Sequence, residues 1–156
     1  MLKAFIGYAS MSGNTEDIAN IIQEVLAHKG CEVEMQCLDT VDADTLSEYD
    51  CVFIGAYTWG DGDLPYEAED FFDELDALKF NGLNAACFGS GDRAYPKYCA
   101  AVDLLANKLA ERGCHVFDQL LKIELNPETD AQIKECKEFA ENVYSWSIEK
   151  KGKSYV

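Results

Sequence analysis

A chain of 156 residues that is 48% hydrophobic, with 8 Phe, 8 Tyr and 2 Trp, has the material for one packed domain and is neither disordered nor fibrous. Its 13 basic residues against 29 acidic ones give a formal charge of -16, which sets aside a nucleic-acid backbone or a polybasic membrane anchor. The opening Met1–Tyr8 run is too short for a secretory signal, and no apolar run approaches the ~20 residues that span a bilayer, so a cytoplasmic protein with no membrane association is expected.

Strand-like and helix-like segments alternate. Leu2–Tyr8 is a short apolar run ending in a Ser/Gly/Asn cluster and predicts a strand. From Thr15 to Lys29 the period becomes helical, with Ile18, Ile22, Val25 and Leu26 on one face and Gly30 as the stop. Cys31–Leu38 alternates outward Glu32 and Glu34 with inward Val33 and Met35, a second strand, and Asp42–Glu48 has room for a short helix. Cys51–Tyr57 is continuously apolar, as a strand covered on both faces must be.

Tyr66–Leu78 reads as a short acidic helix with Phe71, Phe72 and Leu75 inward, and Leu83–Phe88 as another buried strand. Ala100–Arg112 is a helix on Val102, Leu105 and Leu109, stopped by Gly113. His115–Ile123 is an irregular fifth strand, and Glu128–Ile148 a final helix with Ile133, Cys136, Ala140 and Val143 on one face. Five strands alternating with helices predict an α/β fold, a doubly wound five-stranded parallel sheet with helices on both faces. A single domain over 1–148 and a polar tail over 149–156 are expected.

Seven cysteines, an odd number without CxxC spacing and mostly inside apolar runs, predict reduced, buried thiols. His28 and His115 lie far apart, and no metal site is expected.

Ligands of doubly wound sheets bind beyond the carboxyl ends of the strands. The loop after the first strand, Ser10-Met11-Ser12-Gly13-Asn14-Thr15, holds three hydroxyls and an amide and opens onto a helix N-terminus, where backbone N–H groups are unpaired and the dipole is positive. One cap would satisfy a helix; four polar donors suit a phosphate better. No GK[ST] follows and the pattern is not GxGxxG, so this is neither a Walker loop nor a dinucleotide fingerprint. The loop after the third strand, Thr58-Trp59-Gly60-Asp61-Gly62-Asp63-Leu64-Pro65, sets a Trp beside two glycines, as a planar wall for an aromatic ligand needs. The loop after the fourth strand, Gly89-Ser90-Gly91-Asp92-Arg93-Ala94-Tyr95-Pro96-Lys97-Tyr98-Cys99, again joins glycines to aromatics.

Together these three loops resemble the FMN-binding loops of the flavodoxins, and the absence of a long insertion between Cys114 and Asn126 resembles the short-chain members. The resemblance spans Met1 to about Ile148 and implies the strand order 2-1-3-4-5. It implies that Ser10, Ser12, Asn14 and Thr15, with the backbone of Met11 to Thr15 including Gly13, hold the phosphate of a non-covalent FMN. Tyr57 and Thr58 would lie along the phosphate and ribityl chain, with Tyr57 standing where many relatives carry a small hydroxyl residue. Trp59 and Tyr95 would sandwich the ring, with Asp61, Gly62 and Tyr98 around it. Backbone groups of Ser90, Gly91, Asp92 and Cys99 would meet its pyrimidine edge. Gly60 would present a peptide able to turn its carbonyl toward flavin N5.

Such a protein tunes a cofactor's potential and has no substrate turnover of its own. No Lys or Arg of the loops is expected beside the ring. Each acid ~10 Å from it would oppose added negative charge by roughly 0.8 kcal/mol at an effective dielectric of ~40, so the resemblance implies a low-potential one-electron carrier. Between Lys29 and Lys79 the chain has 15 acids and no base, among them Asp61, Asp63, Glu67, Glu69, Asp70 and Asp73. Such a run reads as a docking surface that steers basic partners. The partners implied are an NAD(P)H-dependent flavodoxin or ferredoxin reductase as donor and acceptor redox enzymes, with the carrier monomeric. The alternatives are an activator dedicated to one enzyme or a small FMN-dependent quinone reductase. A signalling receiver domain would need paired acids where Tyr8-Ala9-Ser10 stands.

Overall fold

The structure, a computed structural model, describes residues 1–153. Strand β1 (Lys3–Ala9) leads into helix α1 (Asn14–His28), then β2 (Glu32–Cys37), two 3-10 turns (Leu38–Thr40 and Ala43–Glu48), β3 (Cys51–Tyr57) and α2 (Tyr66–Leu75). The rest of the chain forms β4 (Asn84–Gly91), α3 (Ala100–Glu111), β5 (His115–Val116), β6 (Leu121–Glu124) and α4 (Asp130–Lys153). The sheet is parallel in the order β2-β1-β3-β4-β5, with β6 also paired to β4, so the doubly wound arrangement is as expected.

The sheet sorts its side chains by alternation. Val52, Ile54 and Ala56 of β3 join Ala85 and Cys87 of β4 under α2 and α3. Cys51 and Phe53 face the other way with Ala86 and Phe88, under α1 and α4. The central strands are covered on both sides and therefore read as unbroken apolar runs. Strand β2 lies at an edge and keeps the alternation of exposed Glu32, Glu34 and Gln36 with half-buried Val33 and Met35. Ile18, Ala19, Ile22 and Leu26 bury the inner face of α1, and the helix ends where Cys31 N–H donates to Leu26 O (3.0 Å) across Gly30.

Three expectations need correction. The fourth strand continues past Phe88 to Gly91, because Gly89, Ser90 and Gly91 pair onward with β3 and β6 although they carry no apolar signature. The fifth strand is two short pieces, broken where Phe117 turns inward against Phe139 and Trp146, at ring separations of 6.2 and 5.2 Å. Helix α4 runs to Lys153 and so takes in most of the expected polar tail; residues 154–156 lie outside the described residues.

All seven cysteines are free thiols, and Cys51, Cys87, Cys99, Cys114 and Cys136 are buried. Burial pushes Cys51, Cys114 and Cys136 up to about 12 and Cys99 up to about 11, from the ordinary 9.0, and Cys87 in the same direction. These thiols ionise in the unfolded chain at a lower pH than in the folded one. The stability they contribute is fully present below about pH 9 and is lost as pH rises through the folded values. The urea midpoint is therefore expected to be lower at ~pH 10 than at ~pH 8, and a Cys51→Ala, Cys136→Ala double variant should show a shallower fall.

Candidate functional site

Because the strands are parallel, the ends of β1, β3 and β4 reach one edge together: Ala9 is level with Ala56, and Tyr57 with Ser90. The loops that follow them are thereby neighbours, and sequence-distant candidates meet there.

The first loop is built around Ser10, whose Oγ accepts hydrogen bonds from Gly13 N (3.1 Å) and Glu16 N (3.4 Å). Gly13 turns the chain at φ 90° into α1. Asp17 N–H donates to Gly13 O at 2.9 Å, whereas the amides of Ser12, Asn14 and Thr15, at or before the first turn, have no partner within the described chain. Met11 and Ser12 are exposed, and Thr15 is buried with its Oγ1 2.8 Å from Ser90 Oγ. Tyr8, at the end of β1, donates from its phenol to Glu16 Oε1 at 3.2 Å. Interaction with the Cys37 thiol, burial and Glu16 all push that phenol up.

The second loop is a three-residue hairpin. Trp59 and Asp63 exchange both backbone hydrogen bonds at 2.8 Å, which leaves Gly60, Asp61 and Gly62 at the tip. Gly60 (φ 53°) and Gly62 (φ 89°) supply the left-handed conformations that so tight a tip requires. At the hairpin's root, Thr58 Oγ1 accepts from Ala101 N at 3.0 Å and so caps α3. Tyr57 donates from its phenol to Glu67 Oε2 at 2.7 Å, and burial with Glu67 pushes that phenol up. The Tyr57 side chain is thus tied to α2.

The third loop folds back on the second. Lys97 lies across Gly62, where an added Cβ would come within 2.5 Å of its side chain, and its Nζ is 3.8 Å from Asp61 Oδ2. Arg93 stacks 4.6 Å over the Tyr98 ring, and its backbone N–H donates to Glu124 Oε2 at 3.2 Å. The third loop thus carries two cations, Arg93 and Lys97. Both face acids of neighbouring segments, and each pair is exposed. Asp92 Oδ1 accepts from Ala94 N at 2.8 Å and shapes the turn toward Tyr95. Tyr98 is half-buried against the α2–α3 core and not presented at the rim with Tyr95. Cys99 is fully buried at φ 52° and starts α3, pressed against Gly91.

Trp59 is 54% exposed and Tyr95 59% exposed, although aromatic rings of their size are usually packed away. Unpaired helix-start amides, hydroxyls and two uncovered aromatic rings at one sheet edge fit a ligand with a phosphate at one end and a planar ring at the other. Sequence reasoning missed Lys97, Glu124, Ala101 and Leu125, which anchor the loops. Leu125 holds φ 56° and donates its N–H to Gly91 O at 2.8 Å. No local signal announces it, since a leucine is not a residue one expects in the left-handed region.

Fold and edge together define a doubly wound carrier of a ring cofactor with a phosphate tail. The flavodoxin family model matches residues 6–139. The chain is 53% identical over 147 residues to Probable flavodoxin 1 of Bacillus subtilis, covering 94% of this chain and 93% of that one. It is 36% identical to a flavodoxin of Maridesulfovibrio salexigens, over 83% and 91% of the two chains. Oxidised flavodoxin 2 from Bacillus cereus superposes with a TM-score of 0.90 at 45% identity, covering 92% and 98%. The chain belongs to the flavodoxin family, FMN-binding proteins that transfer electrons and turn over no substrate of their own.

Gly91 tests how the third loop is held. A Cβ there would sit 2.8 Å from Cys99 Sγ and 2.9 Å from Cys99 N, with the backbone unable to give way. Gly91→Ala is expected to lower the stability of the apoprotein by about 1–3 kcal/mol and to loosen FMN binding, read by urea titration and flavin fluorescence quenching.

Proposed function

We propose that this chain is a cytoplasmic, monomeric, low-potential one-electron carrier, loaded with FMN, that passes electrons from an NAD(P)H-dependent reductase to acceptor redox enzymes. The reading rests on one observation above the others: two aromatic rings, on different loops, stand uncovered beside a helix start rich in unpaired donors. Bound FMN supplies the centre that accepts and returns electrons. The chain's own residues do the remainder. The amides of Ser12, Asn14 and Thr15, with the hydroxyls of Ser10, Ser12 and Thr15, hold the phosphate. Trp59 and Tyr95 would cover the ring and keep water from it. Backbone groups of Ser90, Gly91, Asp92 and Cys99 meet its pyrimidine edge. Gly60 has no Cβ, so its peptide can turn at low cost and its carbonyl would be available to accept a hydrogen bond from the ring of the bound cofactor.

The potential follows from charge. Asp61 lies on the hairpin tip, and the net charge of -16 opposes electron uptake, while Arg93 and Lys97 spend part of their influence on Glu124 and Asp61. Trp59→Ala is expected to weaken FMN binding at least about fivefold and to raise the potential of the second electron, because water then reaches the ring. Tyr95→Ala should act in the same direction. Unchanged affinity and potential in both variants would refute the sandwich.

For partners, the acids of α2 and the hairpin differ in availability. Glu67 is held by Tyr57, Glu74 accepts from Ala43 N at 3.0 Å, and Asp76 pairs with Lys108. No cation among the described residues pairs with Asp63, Glu69, Asp70 or Asp73. Asp63, Glu69 and Asp73 also line a groove of about 410 Å³ together with Trp59, Leu64 and Phe72. A basic partner steered to that groove would arrive against Trp59, the ring's own neighbour. Neutralising Asp63, Glu69, Asp70 and Asp73 together is expected to slow electron transfer from a reductase at low salt and to leave it nearly unchanged at ~0.5 M salt, where the Debye length is a few Å. Stopped-flow rates across an ionic-strength series read this. Equal salt slopes in the wild type and the quadruple variant would make the acidic run a solvated helix face.

A further inference from the structure

Thr15 and Ser90 are 75 residues apart, on α1 and β4, yet their hydroxyl oxygens lie 2.8 Å from each other. They are two of the few buried polar residues among those described, with exposures of 0% and 2%. Ser90 follows Phe88 by two and so faces the α1–α4 layer, away from the third loop that it begins. Its side chain therefore serves the opposite end of the site from its backbone.

A hydroxyl has one hydrogen to give. If Thr15 gives its hydrogen to Ser90, it offers only lone pairs at the start of α1. If Ser90 is the donor, the Thr15 hydrogen is released. An anion at this helix start favours the second arrangement, since a donor facing it is attractive and a lone pair is not. Ser10 is not the orienting partner: its Oγ accepts from Gly13 N and Glu16 N and makes no hydrogen bond to Thr15, whose Oγ1 is paired with Ser90. Thr15, in the first turn, also has no helical carbonyl four residues back to which it could donate.

We propose that Ser90 is a positioning residue for the phosphate: its hydroxyl donates to Thr15 Oγ1 and so turns the Thr15 hydrogen toward the phosphate group of the cofactor. This deepens the FMN reading above and rests on it. Ser90 does not touch the phosphate itself; it acts through Thr15.

The test compares FMN with riboflavin, which has the same ring and no phosphate. Apoprotein is titrated with each, and the ratio of the two affinities is the readout. Ser90→Ala is expected to lower the FMN-to-riboflavin ratio about fivefold, the worth of one neutral hydrogen bond. Ser90→Cys, which keeps the volume and only a weak donor, should lower it in the same direction and serves where the alanine variant folds poorly. In a Thr15→Val background, Ser90→Ala should cause no further fall. A ratio unchanged in both Ser90 variants overturns the proposal, as does a full additional fall in the Thr15→Val background. A wild-type protein that binds FMN strongly while the ratio ignores Ser90 leaves the carrier reading standing and removes this inference alone. A wild-type protein that takes up no flavin removes both.

Discussion

Every functional feature of this chain depends on the parallel direction of its strands. Parallel pairing forces each strand's carboxyl end, and the N-terminus of the helix that follows, to the same edge of the sheet. Three loops separated by dozens of residues are thereby brought to one edge, the unpaired amides of α1 on one and the exposed aromatic rings on the other two. An antiparallel sheet of the same composition would send half of those loops to the far edge. The cost is that the central strands must be apolar on both faces, which is why Cys51–Tyr57 carries no charged residue at all.

That cost is also what made the fold legible. β3 was read to the residue, because a double-sided core leaves an uninterrupted apolar run. α1 and α3 were read to within a residue or two from their buried faces and their glycine stops. Legibility failed where structure is held by pairing without apolar content. Gly89-Ser90-Gly91 is strand because β3 and β6 flank it, not because its residues favour extension. The break in the fifth strand comes from Phe117 choosing the α4 side, a tertiary decision that a local pattern does not carry.

The site divides in the same way. Its composition was plain: hydroxyls before a helix, a Trp among glycines, a Tyr on a glycine loop. Its wiring was not. Thr58 caps α3, Tyr57 grips Glu67, and Lys97 crosses Gly62 to reach Asp61, contacts that span 43, 10 and 36 positions. The acidic run shows the same division. In the sequence its eight acids from Asp61 to Asp76 are equivalent, yet in the fold some are committed to backbone, phenol or ammonium groups and others face outward.

The Trp59–Asp63 hairpin has a meaning beyond shape. Its two rungs fix the root of the loop, Thr58 pins that root to α3, and Lys97 straps the tip to the neighbouring loop. The three residues between the rungs are held only through that strap. Electron exchange is fast when few nuclei must rearrange as the charge changes. A frame braced at its root and at its tip leaves little to rearrange, which keeps that reorganisation small.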